Sequence, residues 1–349
     1  MTGKTIFIKR LSTALKLLLI LQVFFLLSCK KEAADETDTE KGKIKVGLVF
    51  DVGGRGDKSF NDAAYKGLEN AKKTLGIDFE VIDPGDGADR ESALRLLASK
   101  PDINLVFGIG FIFSEDITRV AKDFPQKKFA CVDYTVTSPE NIPANLTALV
   151  FKEEEGSFLV GCIAGLVTKT NTVGFIGGME SALIKKFETG FEKGAKYVNP
   201  AVTVLKGYVG VTGDGFKNPG KAQEIALSQY SMKADIIYHA SGLSGLGLFE
   251  AARDKKKLAI GVDLDQYNEA PGFILTSMVK KVDEVVLETI KDLAENQFKG
   301  GVKSLGLKDN GVDYVYDDNN KNLIDSGIHK RVEEIKGKII SGEIVISNL

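Results

Sequence analysis

Side chains able to bind or react gather most densely in Asp51-Val52-Gly53-Gly54-Arg55-Gly56-Asp57-Lys58-Ser59-Phe60-Asn61-Asp62. Carboxylates, a hydroxyl, an aromatic ring and an amide share a glycine-rich stretch that follows an apolar run and leads into a helical pattern. A phosphate loop of the form GxxxxGK[ST] needs glycine directly before the lysine. Asp57 stands there instead, and its carboxylate would repel phosphate. Arg55-Gly56-Asp57 also matches a cell-adhesion tripeptide, which leaves a surface adhesin or receptor open. The remaining reading is a loop that delivers Ser59, Phe60 and Asn61 to the mouth of a sheet, with Ser59 or Asp57 capping the following helix. Phe60 could equally be a staple into the core.

Other points carry less. Gly242, Gly245 and Gly247 are spaced GxxGxG, not the GxGxxG of a dinucleotide site, and no basic residue accompanies them. Asp317-Asp318-Asn319-Asn320 lacks the glycine and distal glutamate of a calcium loop and reads as a solvated turn. With two histidines and no CxxC the chain shows no zinc-binding pattern, so neither metal nor cofactor is expected. Cys131, in an apolar strand pattern, and Cys162, in an apolar helix pattern, read as buried thiols.

Elements must position these groups. At the start, Lys4, Lys9, Arg10 and Lys16 precede an apolar run, Leu17 to Leu27, that ends in Leu26-Leu27-Ser28-Cys29. That run suits a signal h-region and is short for a membrane span. The reading is a lipoprotein signal over 1–28 cleaved before Cys29, whose lipidation anchors the protein, then a charged flexible tether over 29–42. An ordinary signal peptide with an incidental cysteine is the alternative. Cleavage leaves 321 of 349 residues and removes four basic and no acidic side chains, taking the net charge from −2 to about −6. Nothing in that charge attracts nucleic acid. A chain of this length exceeds one usual core and predicts two lobes with a cleft.

Short β-branched runs alternate with helical patterns from Lys43 onward: Ile44 to Phe50, Phe79 to Ile82, Leu105 to Gly108, Phe129 to Val132, Val173 to Ile176, Ile236 to His239, Leu258 to Val262. This alternation predicts an α/β fold with open parallel sheets, whose ligands bind beyond the carboxyl ends of the strands. The alternation breaks over Thr135 to Leu149, read as a lobe crossing; a second crossing is placed after Leu275, ahead of a helix over Val282 to Phe298. The lobes are therefore drawn as 43–140 with about 278–300, and 141–277 with about 301–349. Val312 to Tyr316 reads as a strand, Lys330 to Ile340 as a helix, and Phe158 to Val167 as buried helix. No internal repeat of fixed period is visible.

Six motifs occur in one order: Asp57-Lys58-Ser59-Phe60-Asn61, Gly108-Ile109-Gly110-Phe111, Val173-Gly174-Phe175-Ile176-Gly177-Gly178, Lys186-Phe187-Glu188-Thr189-Gly190-Phe191, Ser241 to Gly247, and Ile260-Gly261-Val262-Asp263-Leu264-Asp265-Gln266. Over roughly Ile44 to Val286 the chain thereby resembles the basic membrane protein (BMP) family, specifically its PnrA-like purine nucleoside receptors, lipoproteins that feed ABC transporters. The resemblance implies a type I periplasmic-binding-protein fold, two Rossmann-like lobes closing on a nucleoside. It also implies a permease partner, no catalysis and a monomer.

Carried onto this chain, the resemblance makes Phe60 and Phe187 a pair that sandwiches the base, one from each lobe. Without it, Phe187 and Phe191 at i and i+4 read more readily as core packing. Asn61 can donate and accept at a purine edge, or serve as a helix-start residue satisfying backbone. Asp133, ending the strand Phe129 to Val132, would face the base edge; aspartate at a strand end is also a common turn residue. Asp263 would take both ribose hydroxyls, and Lys280, after a strand over Phe273 to Ser277, would partly neutralise it, with Lys281 as the ambiguous neighbour. The Gly242 region would let backbone approach a sugar. A nucleoside hydrolase or phosphorylase would need a calcium-holding aspartate cluster or a basic phosphate loop, and neither is visible. Among binding roles, a sugar or other small metabolite is the alternative ligand.

Overall fold

The computed structural model describes residues 43–84 and 89–348; the segments read from sequence as signal and tether, with Cys29 between them, lie outside these residues. From Ile44 onward the chain is one compact unit containing two sheets. The first is built from β1 (Lys45–Val49), β2 (Asp78–Ile82), β3 (Leu105–Ile109), β4 (Lys128–Val132), β5 (Leu146–Phe151) and β11 (Gly301–Leu305), in the order β11-β5-β4-β3-β1-β2. The second holds β6 (Thr172–Met179), β7 (Thr203–Gly210), β8 (Ile236–Ala240), β9 (Leu258–Asp263), β10 (Ile274–Lys280) and β12 (Val312–Tyr314), in the order β12-β10-β9-β8-β6-β7. The two orders are the same, with β6 to β10 repeating β1 to β5. All pairings are parallel except that of β12 with β10. Sequence divergence hides this duplication from any fixed-period repeat.

Both faces of each sheet are covered, which explains the near-continuous apolar strands. In β1, Val46 and Leu48 face one core and Val49 the other. Helices α1 (Phe60–Leu75), α2 (Arg90–Ser99) and α3 (Ser114–Asp123) follow the first three strands, and α5 (Ala182–Val198), α6 (Pro219–Ser231) and α7 (Gly245–Lys255) follow β6, β7 and β8. Between them α4 (Glu153–Val167) follows β5, and α8 (Val282–Ala294) and α9 (Ser326–Ile340) complete the set. The run Phe158 to Val167 is indeed buried helix, and among the described residues no helix is long and apolar enough to cross a membrane. Cys131 and Cys162 are buried free thiols.

One helix pair fixes the second lobe's site. A Cβ on Gly161 of α4 would stand 2.2 Å from the Phe191 carbonyl oxygen, and one on Gly194 of α5 would stand 2.0 Å from that of Phe158. Only glycine permits so close a crossing, and it seats α5, with Phe187 on its first turns, against the buried α4.

The lobe boundaries differ from the sequence reading. Leu146–Phe151 pairs with β4 and stays in the first sheet, so the first crossing falls at Lys152, not within Thr135 to Leu149, where Pro139–Asn141 forms only a 3-10 turn. Gly301–Leu305 pairs with β5 and so belongs to the first sheet rather than the second. The chain therefore crosses three times: before α4, after Lys280, and between β11 and β12. The second crossing lies where β10 ends, five residues beyond Leu275, and α8 then packs against α1 through Gly67, whose missing Cβ would lie 2.7 Å from the Asp283 carbonyl oxygen.

Candidate functional site

The loop after β1 is folded by Asp57. Its carboxylate accepts from the Ser59 and Asp62 backbone N–H at 3.0 and 3.1 Å, and from the Asn61 N–H and side-chain amide at 2.9 and 3.1 Å. Asp57 thus caps α1, and the Ser59 hydroxyl is left to cross to the other lobe, donating to Asp263 Oδ2 at 2.5 Å. Asp57 is buried, and the Arg55 guanidinium lies 3.4 Å from the Tyr65 ring centre. The tripeptide Arg55-Gly56-Asp57 is therefore built into the loop and presents no carboxylate to an adhesion partner.

Two aspartates end equivalent strands. Asp133 follows β4 and Asp263 closes β9, and both hold a left-handed backbone, φ 60° and 65°. Aspartate tolerates this conformation, and it turns the chain sharply at the carboxyl end of each strand. Lys280, the last residue of β10, is buried beside them: its ammonium donates to Asp133 Oδ2 at 2.6 Å and lies 3.5 Å from Glu153 Oε1. Its direct partner is thus Asp133, with Asp263 acting on it at longer range. Lys281 points away and pairs with Glu284, which removes the one-position ambiguity.

These groups border one shared cleft, which in this closed form leaves about 50 Å³ of free space. Phe60, Asn61 and Asp133 line it from the first lobe and Phe187, Gly242, Asp263 and Lys280 from the second, while Ser59 reaches it through Asp263. The structure therefore brings all eight residues together. Asn61 is the most committed: its Oδ1 accepts from the Asp51 N–H and its amide donates to Asp57, leaving one amide hydrogen. The backbone-satisfying role is the one observed.

Among the lining residues with no role assigned from sequence are Asp51, Phe111 and Phe216. Asp51 stood one residue past a predicted strand, which was its signal. Phe216 lies on a 3-10 turn after β7 with no local signature. Glu153, at the first crossing, reads in sequence only as an acidic residue at a helix start, yet it is fully buried, with Lys186 at 3.1 Å on its far side.

Burial and one enclosed cation set the electrostatics of the cleft. Burial pushes the Asp51 carboxyl up to about 7 and Asp57 to about 6, against their backbone hydrogen bonds. Burial likewise raises Glu153 to about 7, with Lys280 opposing. Asp263 is raised by burial and held down by Lys280 and Ser59. Burial alone would lower Lys280, but Asp133, Glu153 and Asp263 outweigh it and keep the ammonium charged. Among the described lining residues Lys280 is the one cation, and carboxylates already surround it. Asp133 Oδ1 is buried and accepts no hydrogen bond, a deficit that a donor on a bound molecule would make good.

A pair of like-ordered parallel sheets, linked by three crossings and closed over a polar cleft with an aromatic ring from each side, defines a binding protein of the type I periplasmic fold. The solute-binding protein of an ABC transporter system from Aeropyrum pernix superposes with a TM-score of 0.79 at 29% identity, over 86% of this chain and 92% of that one. By sequence, basic membrane protein A1 of Borrelia garinii subsp. bavariensis is 34% identical over 95% of both chains, and an uncharacterized lipoprotein of Pyrococcus abyssi is 35% identical over 88% of this chain and 77% of its own. Residues 44–349 match the model of the Bmp family, ABC transporter substrate-binding proteins described as PnrA-like, and the chain belongs to that family.

Proposed function

We propose that the protein captures a purine nucleoside (adenosine, guanosine or inosine) between its lobes and passes it to the permease of an ABC transporter, held to the membrane by lipid on Cys29. The observation that carries this is the pairing of Phe60 and Phe187 across a cleft whose cation is already matched and whose Asp133 Oδ1 awaits a donor. A flat, neutral molecule bearing N–H and O–H groups meets those conditions. The rings sandwich the base; Asp133, the remaining Asn61 amide hydrogen and Asp51 face its edge. Asp263, released from Ser59, takes the ribose diol, with Lys280 beside it and backbone near Gly242 along the sugar.

Base stacking is worth about 1 to 3 kcal/mol per ring. Phe60→Ala and Phe187→Ala should each weaken nucleoside binding by about five- to 150-fold in calorimetry, whereas an unchanged affinity in both would place the base elsewhere. The carboxylate excess should reject nucleoside 5′-monophosphates, and equal affinity for the phosphate would contradict the charge argument. Membership of a substrate-binding family favours binding without turnover, so incubation with nucleoside should release no free base. Cys29→Ala should move the exported protein from the detergent phase to the aqueous phase, since stable anchoring takes more than one acyl chain. Unchanged partitioning would remove the anchor from the account.

A further inference from the structure

We propose that Gln266 is a positioning residue that latches the two lobes together through the Lys58 carbonyl, and that His239 fixes its orientation. Gln266, on the turn after β9, is 2% exposed, and its side-chain amide reaches across the cleft to the Lys58 carbonyl oxygen at 3.0 Å. Lys58 directly precedes Ser59 and Phe60 and holds a left-handed φ of 54°. That carbonyl therefore aims the loop that carries the first lobe's ligand groups.

The direction of every bond follows from one fixed donor. The Val262 backbone N–H donates to Gln266 at 2.8 Å, so the atom facing it is Oε1 and the atom facing Lys58 is Nε2. His239 Nε2 lies 3.0 Å from that same Oε1 and must carry the hydrogen. His239 Nδ1 is then an acceptor, and the Ser241 hydroxyl, 3.2 Å away, donates to it. His239 is fully buried, which lowers its pKa to about 4 and keeps this neutral tautomer at physiological pH. A Cβ on Gly245 would stand 2.0 Å from the ring, so α7 starts with glycine where the histidine packs against it. The Gln266 backbone is held as well, its N–H donating to Ser277 Oγ at 3.1 Å. Ser241 lines the cleft with its hydrogen turned inward, so toward a ligand it can only accept.

The latch joins protein to protein, so it acts without ligand and does not depend on which ligand the cleft takes. Its test uses ligand-free protein. Losing one neutral hydrogen bond should lower the closed-to-open ratio about two- to tenfold. Small-angle scattering should therefore show a larger radius of gyration for Gln266→Met than for wild type, and a larger one still for Gln266→Glu, whose carboxylate would face the Lys58 carbonyl. Folded variants with the wild-type radius would overturn the proposal. Nitrogen-15 spectra of wild-type imidazoles decide the point even if the variants fail to fold: His239 should be the neutral Nε2–H tautomer from pH 5 to 8, and the Nδ1–H tautomer or an imidazolium would overturn the network.

Discussion

Asp263→Asn should weaken nucleoside binding about ten- to a hundredfold, since a hydrogen bond to a charged group contributes about 1.5 to 3 kcal/mol. Asparagine is the sharper substitution than alanine, because it tolerates the φ of 65° at this position. Loss of binding would then report lost charge and not backbone strain. The same variant should nearly erase the preference for ribonucleosides over 2′,3′-dideoxynucleosides, the carboxylate being the group that reads the diol. Calorimetry with both ligands checks this, and a retained preference would make Asp263 structural. Its link to Ser59 adds a detail: the ligand-free carboxylate is already engaged, so Ser59→Ala should free it and affect binding far less than Asp263→Asn does.

Raising the pH from 5 to 8 should destabilise the ligand-free protein. Asp51 and Glu153 are held near 7 and Asp57 near 6, all above their values in an unfolded chain. The folded state thus keeps protons that the unfolded state releases, and the stability they confer is complete below about pH 4 and lost as pH rises to about 7. For Glu153 the direction is set by burial, with Lys280 and Lys186 opposing it. Glu153→Gln should accordingly lose fewer degrees of Tm between pH 5 and 8 than wild type does. An equal loss would mean that Glu153 is ionised throughout and that Lys280 and Lys186 compensate its burial in full.

Much of this was legible in the chain because parallel strands buried on both faces announce themselves as short apolar runs, and site residues sit just past them. Asp133 and Asp263 were noticed because they stand just past strands, and Phe60 because of its loop, but their roles were assigned through the family resemblance. Phe187 was not separable from core packing by its spacing with Phe191, and only the family resemblance distinguished it. Lobe membership was misread at Leu146–Phe151 and Gly301–Leu305, since which sheet a strand joins is decided by pairing with residues far along the chain. Partners were the least legible. Lys280 sits nearest Asp133, 147 residues away, and Gln266 meets Lys58 across 208. Such contacts are made by lobe closure, which no local pattern encodes. The close crossing of α4 and α5 at Gly161 and Gly194 emerges only from the packing.

The central claim is tested most directly by titrating the protein, freed of any molecule carried through purification, with adenosine, guanosine and inosine and, separately, with ribose, glucose and galactose in a calorimeter. Saturable one-to-one binding of at least one purine nucleoside, with no binding of the free sugars, is the predicted result; saturable binding of a sugar with no heat from any purine nucleoside would contradict it.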